Sequence, residues 1–116
     1  MIRLQIVERH GVNLYRTLVS AMRSGDLRTF IVTRRGKKVT HRNPSYSGWI
    51  SWSYAEGVVS CEVLSPRQPG TEWRLVSALV GRLADKFADR VHSISIQFPD
   101  ASAPRNRPRR RRRRSR

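Results

Sequence analysis

Residues 48–64, GWISWSYAEGVVSCEVL, alternate in polarity on both sides of a short interruption. Ile50, Trp52 and Tyr54 point one way and Trp49, Ser51 and Ser53 the other; beyond the interruption Val59, Cys61 and Val63 oppose Ser60 and Glu62. A period of two is the mark of a half-buried strand, and Ala55-Glu56-Gly57 supplies a turn. The stretch therefore predicts a hairpin with one apolar and one polar face. Its apolar face needs a second layer to cover it. The single cysteine, Cys61, falls on that face and reads as a small core residue.

Working outward, residues 28–42 (RTFIVTRRGKKVTHR) predict a second hairpin turning over Gly36-Lys37, with Arg35 opposite Lys38 and Val32 opposite His41. Phe30, Val32, Val39 and His41 then share the apolar face, while Ile31, Thr33, Arg35, Lys38, Thr40 and Arg42 share the other. Residues 2–7 alternate Ile2, Leu4 and Ile6 against Arg3 and Gln5; residues 92–98 alternate Ile94, Ile96 and Phe98 against Ser93, Ser95 and Gln97. Both read as strands.

Two stretches change to a helical period. After His10-Gly11, Asn13 caps a helix whose stripe is Leu14, Leu18, Ala21 and Met22, with Tyr15 and Val19 beside it and Ser24-Gly25 at its end. Past the loop SPRQPG, Thr71 caps a second helix, Glu72 complements its dipole, and Trp73, Val76, Val80, Leu83 and Phe87 recur at steps of three and four. The order β-α-β-β-β-β-α-β predicts an α+β two-layer sandwich, with two helices packed on one face of a mainly antiparallel sheet. The predicted domain is residues 1–98, followed by a disordered Arg-rich tail, 99–116.

Charge sets the partner class. The 116 residues hold 24 Lys and Arg against 8 Asp and Glu, a formal net charge of +16. Residues 1–104 carry 15 basic and 8 acidic side chains; residues 105–116 add nine arginines, Arg105, Arg107, Arg109, Arg110, Arg111, Arg112, Arg113, Arg114 and Arg116. Adjacent guanidinium groups repel one another and keep their protons near neutral pH. A polyanion turns that repulsion into affinity, since each neutralised phosphate releases a condensed counterion.

The polar sheet face continues the theme. Arg3, Arg35, Lys38 and Arg42 stand there against Glu62, among hydroxyls and with Trp49 as the one aromatic. Single strands bind open sheets through such cations, hydrogen-bonding groups and a ring on which a base stacks. The hairpin tip Arg34-Arg35-Gly36-Lys37-Lys38 is a second basic element, fit to track a backbone. The residues expected to bind nucleic acid are thus Arg34, Arg35, Lys37, Lys38, Arg42 and Trp49, with the nine arginines of the tail.

Catalytic chemistry finds little footing. His10, His41 and His92 have no metal-ligand spacing, and no Gly-rich phosphate loop or nucleophile elbow occurs. Glu8 and His10 would meet His92 only if the first and last strands pair. Asp85 and Asp89, four apart on the second helix, have Lys86 and Arg90 close by and read as local ion pairs. No catalytic residue, metal or cofactor is expected.

The expected function is non-enzymatic nucleic-acid binding, with RNA favoured over DNA because Arg-rich arms order on structured RNA and an open sheet suits single strands. The alternative is an adaptor or assembly protein whose sheet binds another protein, or a homodimer through a sheet edge, with the tail as a localisation signal or polyanion tether. No small-molecule substrate is expected. Lone Cys61, the absence of a signal-peptide core and of any long apolar run predict a cytoplasmic, nucleoid or nuclear protein with no membrane span.

Overall fold

The computed structural model describes residues 1–99. The Arg-rich tail, from Arg105 to Arg116, lies outside the described residues. Eight elements follow in the expected order: β1 (Ile2–Glu8), α1 (Leu14–Ser24), β2 (Phe30–Val32), β3 (Lys38–His41), β4 (Trp49–Ala55), β5 (Val58–Leu64), α2 (Glu72–Lys86) and β6 (Val91–Gln97). The six strands form one sheet in the order β2-β3-β4-β5-β1-β6, every neighbouring pair antiparallel.

The topology explains why both helices cover the same face. The chain travels from β1 by way of α1 to the far edge β2, meanders back through β3 and β4 to β5, then crosses by α2 to β6. Each crossover joins two parallel strands. The second runs in the opposite strand direction and travels the opposite way across the sheet. Reversing both leaves hand and face unchanged, so the usual right-handed crossover places both helices on one side. There α1 lies against β2, and α2 against β5 and β1.

Ile2, Leu4 and Ile6 of β1, Val39 of β3, Ile50 and Trp52 of β4, and Val59, Cys61 and Val63 of β5 are buried beneath the helices. Leu14, Leu18, Ala21 and Met22 of α1 meet them, as do Leu75, Val76, Leu79 and Leu83 of α2. Each fully buried Leu, Ile or Val contributes about 1.5–3 kcal/mol relative to exposure, so this one cluster supplies the drive to fold.

Local signals hold α1 at both ends. The Asn13 side chain accepts from the Arg16 amide at 3.0 Å, and Gly25 ends the helix in the left-handed conformation. The Glu8 carboxylate accepts a second N-terminal amide, that of Leu14, at 2.9 Å. The β4–β5 hairpin turns at Glu56 and Gly57, both at positive φ (53° and 79°). Ala55 faces Val58 across it. Two left-handed residues give the tight primed turn whose twist suits a hairpin.

Four expectations need correction. The first hairpin pairs Phe30 with His41 and Val32 with Val39, and the turn spans residues 34–37, closed by the Thr33 amide donating to the Lys38 carbonyl at 2.9 Å. The predicted register is thus off by two, an even step that leaves each strand side chain on its expected face. Trp73 was placed in the buried stripe of α2, yet it is 48% exposed; Leu75 and Leu79 carry the stripe with Val76 and Leu83. Thr71 stands at the N-cap position without a side-chain capping bond, since its hydroxyl donates to the Gln68 carbonyl at 2.6 Å. Finally, α2 ends at Lys86, so Asp89 lies beyond it and shares no helical face with Asp85.

Candidate nucleic-acid interface

On the open side of the sheet, the strand register sets the side chains in rows. One row runs Gln97, Arg3, Glu62, Ser51, Lys38; the next runs Ser95, Gln5, Ser60, Ser53. Hydroxyl and amide groups therefore repeat across four strands, β6, β1, β5 and β4, above a shallow depression of ≈ 340 Å³. At one end of this face Trp49 pairs with Leu64. The Lys38 ammonium sits 4.5 Å from the centre of the Trp49 indole, a cation–π contact on a half-exposed ring.

A cleft of ≈ 510 Å³ opens on the flank of Trp49, walled by Thr40, Tyr46, Arg67 and Gln68. It lies between the 43–48 loop and the 65–68 loop. Sequence reading had assigned Arg67 and Gln68 only to a connecting loop. Their place beside Trp49 depends on the β4–β5 register, which brings Leu64 against the start of β4. A planar group entering the cleft would meet the indole with an exposed guanidinium nearby.

The expected basic residues divide. Lys38 stands on the open face with Trp49; Arg35 lies in the turn beyond β2, and Arg42 follows the last residue of β3. Arg42 folds back, its Nε donating to the Arg28 carbonyl at 2.7 Å. Arg34, Arg35 and Lys37 are exposed on the hairpin turn. The open face thus carries Arg3 and Lys38 against Glu62, and Arg3 is paired with that carboxylate at 3.4 Å. Hydrogen-bonding groups dominate it, and the basic turn is tied instead to Tyr15 and Arg23 of α1.

The hairpin tip is held down rather than projecting. The carbonyl of Gly36, a buried residue, accepts from both the Tyr15 hydroxyl and the Trp52 indole N–H. Arg23 of α1 donates to the carbonyls of Thr33 (3.1 Å) and Arg34 (2.6 Å). Gly36 has φ +77°, and a Cβ there would stand 2.8 Å from the Tyr15 oxygen. Its lack of a side chain lets the turn settle on Tyr15. Three cations are consequently displayed on a fixed loop, with little ordering left to be done on binding.

Further cations line the helix layer. Arg16, Lys86 and Arg90 flank a groove of ≈ 780 Å³ between α1 and the end of α2, floored by Ala21 and Phe87. Arg74 lies 4.3 Å from the Tyr46 ring, and that ring stacks on His41 at 3.7 Å. Burial first, then the charges of Arg74 and Arg82, hold His41 below its ordinary value of 6.5. Its Nδ1 accepts the Asn43 amide at 2.9 Å, a bond only the unprotonated nitrogen can accept.

The groups considered for acid–base chemistry are placed as follows. β1 and β6 do pair, with Glu8 opposite Val91. The Glu8 carboxylate accepts from the Tyr54 hydroxyl at 2.8 and 3.0 Å and from the Leu14 amide. That hydrogen bond, with partial burial and the carboxylate's charge, raises the Tyr54 hydroxyl above its ordinary value. Burial pushes the Cys61 thiol up to about 12. Among the described residues, no three His, Cys, Asp or Glu side chains group as a metal ion would require, and no helix is long and apolar enough to cross a membrane. No family model, curated protein or solved structure matches the chain.

Proposed function

We propose that this protein is a non-catalytic nucleic-acid-binding protein, with RNA favoured over DNA. The observation that carries the reading is unneutralised positive charge. Residues 1–99 hold 15 Lys and Arg against 7 Asp and Glu. Among them Arg3 alone has a carboxylate within 4.0 Å; the other ion pair joins the N-terminal amine to Glu72. Fourteen cations therefore have no acidic partner among the described residues, and nine arginines follow in sequence.

Roles follow from position. The tail arginines supply long-range, salt-sensitive attraction. Arg34, Arg35 and Lys37 on the held turn meet backbone phosphates, and Trp49 receives a base while Lys38 and Arg67 engage the flanking phosphates. The rows of Ser and Gln offer hydrogen bonds to base edges and 2′-hydroxyls, which favours single-stranded RNA.

Salt titration tests the reading. With about six to ten phosphates contacted, affinity falls roughly 10³- to 10⁵-fold between 50 and 200 mM salt. Deleting Arg105–Arg116 should flatten this dependence sharply while leaving the domain folded. A salt slope unchanged by the deletion would remove the tail from the account. Recovery of the protein from cells, followed by digestion of the bound material with RNase or DNase, identifies the nucleic acid.

A further inference from the structure

The two edges of the sheet end differently. At one, β2 is only three residues long, and Arg28, Arg34 and Arg35 flank it. A short edge among charges is a protected edge. At the other, β6 runs for seven residues, VHSISIQ, with its outer side unpaired among the described residues. It holds no Lys, Arg, Asp, Glu or Pro, and so lacks the usual devices against strand addition.

The helix side of this edge is also incompletely covered. Leu4 and Ile6 on β1 are buried, yet their neighbours Ile96 and Ile94 on β6 are only half-buried. Trp73 of α2 and Phe98 extend the same shelf, 48% and 61% exposed, their ring centres 5.8 Å apart. Aromatic side chains present about 150–250 Å² each, so on the order of 200 Å² of aromatic surface faces solvent here.

We propose that β6 pairs antiparallel with β6 of a second copy, about a two-fold axis through Ser95. Two observations select that occupant. The polarity of residues 93–97, Ser-Ile-Ser-Ile-Gln, reads the same from either end. An axis through Ser95 therefore sets Ile94 of one copy against Ile96 of the other, twice, on the helix side. Ser93 meets Gln97 on the open side. Secondly, two strongly basic chains can approach closely only where no cations oppose, and β6 has none.

The dimer would join the two sheets into one, with the open faces continuous and a Trp49 on each half. A single strand could then engage both copies, and the linked sites would gain effective concentration. The pairing itself does not depend on the nucleic-acid reading; it requires only the edge.

Sedimentation equilibrium of the nuclease-treated full chain, at about 1 M salt where screening acts within about 3 Å, should show a dimer. Ile96→Lys puts an ammonium against Ile94 of the other copy, twice per dimer, and should weaken association on the order of 100-fold. Ile31→Lys, at the exposed β2 edge, should leave it unchanged. Should Ile96→Lys fail to fold, Ser95→Cys gives an independent reading. Directly opposed residues of antiparallel strands stand about 4.5–5.5 Å apart at Cα, within disulfide reach. Mild oxidation should then link two copies through Ser95→Cys, but not through Ser53→Cys on the same open face; Cys61, 2% exposed, is silent. A monomer at every concentration, dimerisation that vanishes on nuclease treatment, or equal cross-linking through both cysteines would overturn the proposal.

Discussion

Trp52 and Trp49 lie three residues apart on β4 and face opposite ways. Trp52 is 4% exposed; its indole N–H is taken by the Gly36 carbonyl and its ring meets Tyr15 edge-on at 5.4 Å. Trp49 is half-buried, with Lys38 above its face and a cleft at its side. On the covered side the indole has every partner it can use. On the open side it keeps a π-face and a neighbouring cation available. The same residue type is thus committed to the core at one position and left partly open to solvent at the other, and the alternation of a single strand separates the two environments.

The sharpest way to break this contrast is to remove each ring. Trp52→Ala should cost about 3–5 kcal/mol, the range for deleting a buried aromatic, and thermal unfolding would register it as a large fall in Tm. Trp49→Ala, at a half-buried ring, should cost clearly less, about 1–1.5 kcal/mol. A reversal of these two results would mean the strand is inside out.

Next in size is Gly36→Ala. Positive φ and the approach to Tyr15 together predict a loss of about 1–3 kcal/mol, measured by denaturant midpoint. The same variant should loosen the basic turn and lower affinity for polyanions. Tyr15→Phe removes one of the two donors to the Gly36 carbonyl while the Trp52 N–H remains. A loss of about 1 kcal/mol is expected.

Much of this was legible from period alone. Alternation in residues 48–64 placed Ile50, Trp52, Val59, Cys61 and Val63 correctly in the core, and Asn13 and Gly25 bounded α1. The first hairpin survived a wrong register because the error was even. Trp73 failed for a different reason. Its spacing fits the α2 stripe, but whether a flanking position is covered depends on what lies beyond, and beyond it is the sheet edge. Arg35 was carried onto the open face by extending β2 past its actual end. Arg67 was invisible as a neighbour of Trp49 because only non-local pairing brings the two loops together.

The smallest expected effect concerns pH. His41 has a depressed pKa in the fold, so the unfolded chain takes up a proton that the folded one resists. Its contribution is complete above about pH 6.5 and is lost as pH falls through the lower folded-state value. Melting between about pH 7.5 and 5 should therefore show a drop that His41→Gln reduces. Equal drops in both proteins would remove His41 from the account.

The most direct test of the central claim is a titration of single-stranded RNA into wild type and Trp49→Ala at about 200 mM salt, followed by tryptophan fluorescence. Base stacking on an exposed ring is worth roughly 1–3 kcal/mol, so the variant should bind about 5- to 150-fold more weakly and lose most of the quenching seen in the wild type. Equal affinity and equal quenching in the two proteins would contradict the account, leaving the open face passive and the arginines alone to hold the polyanion.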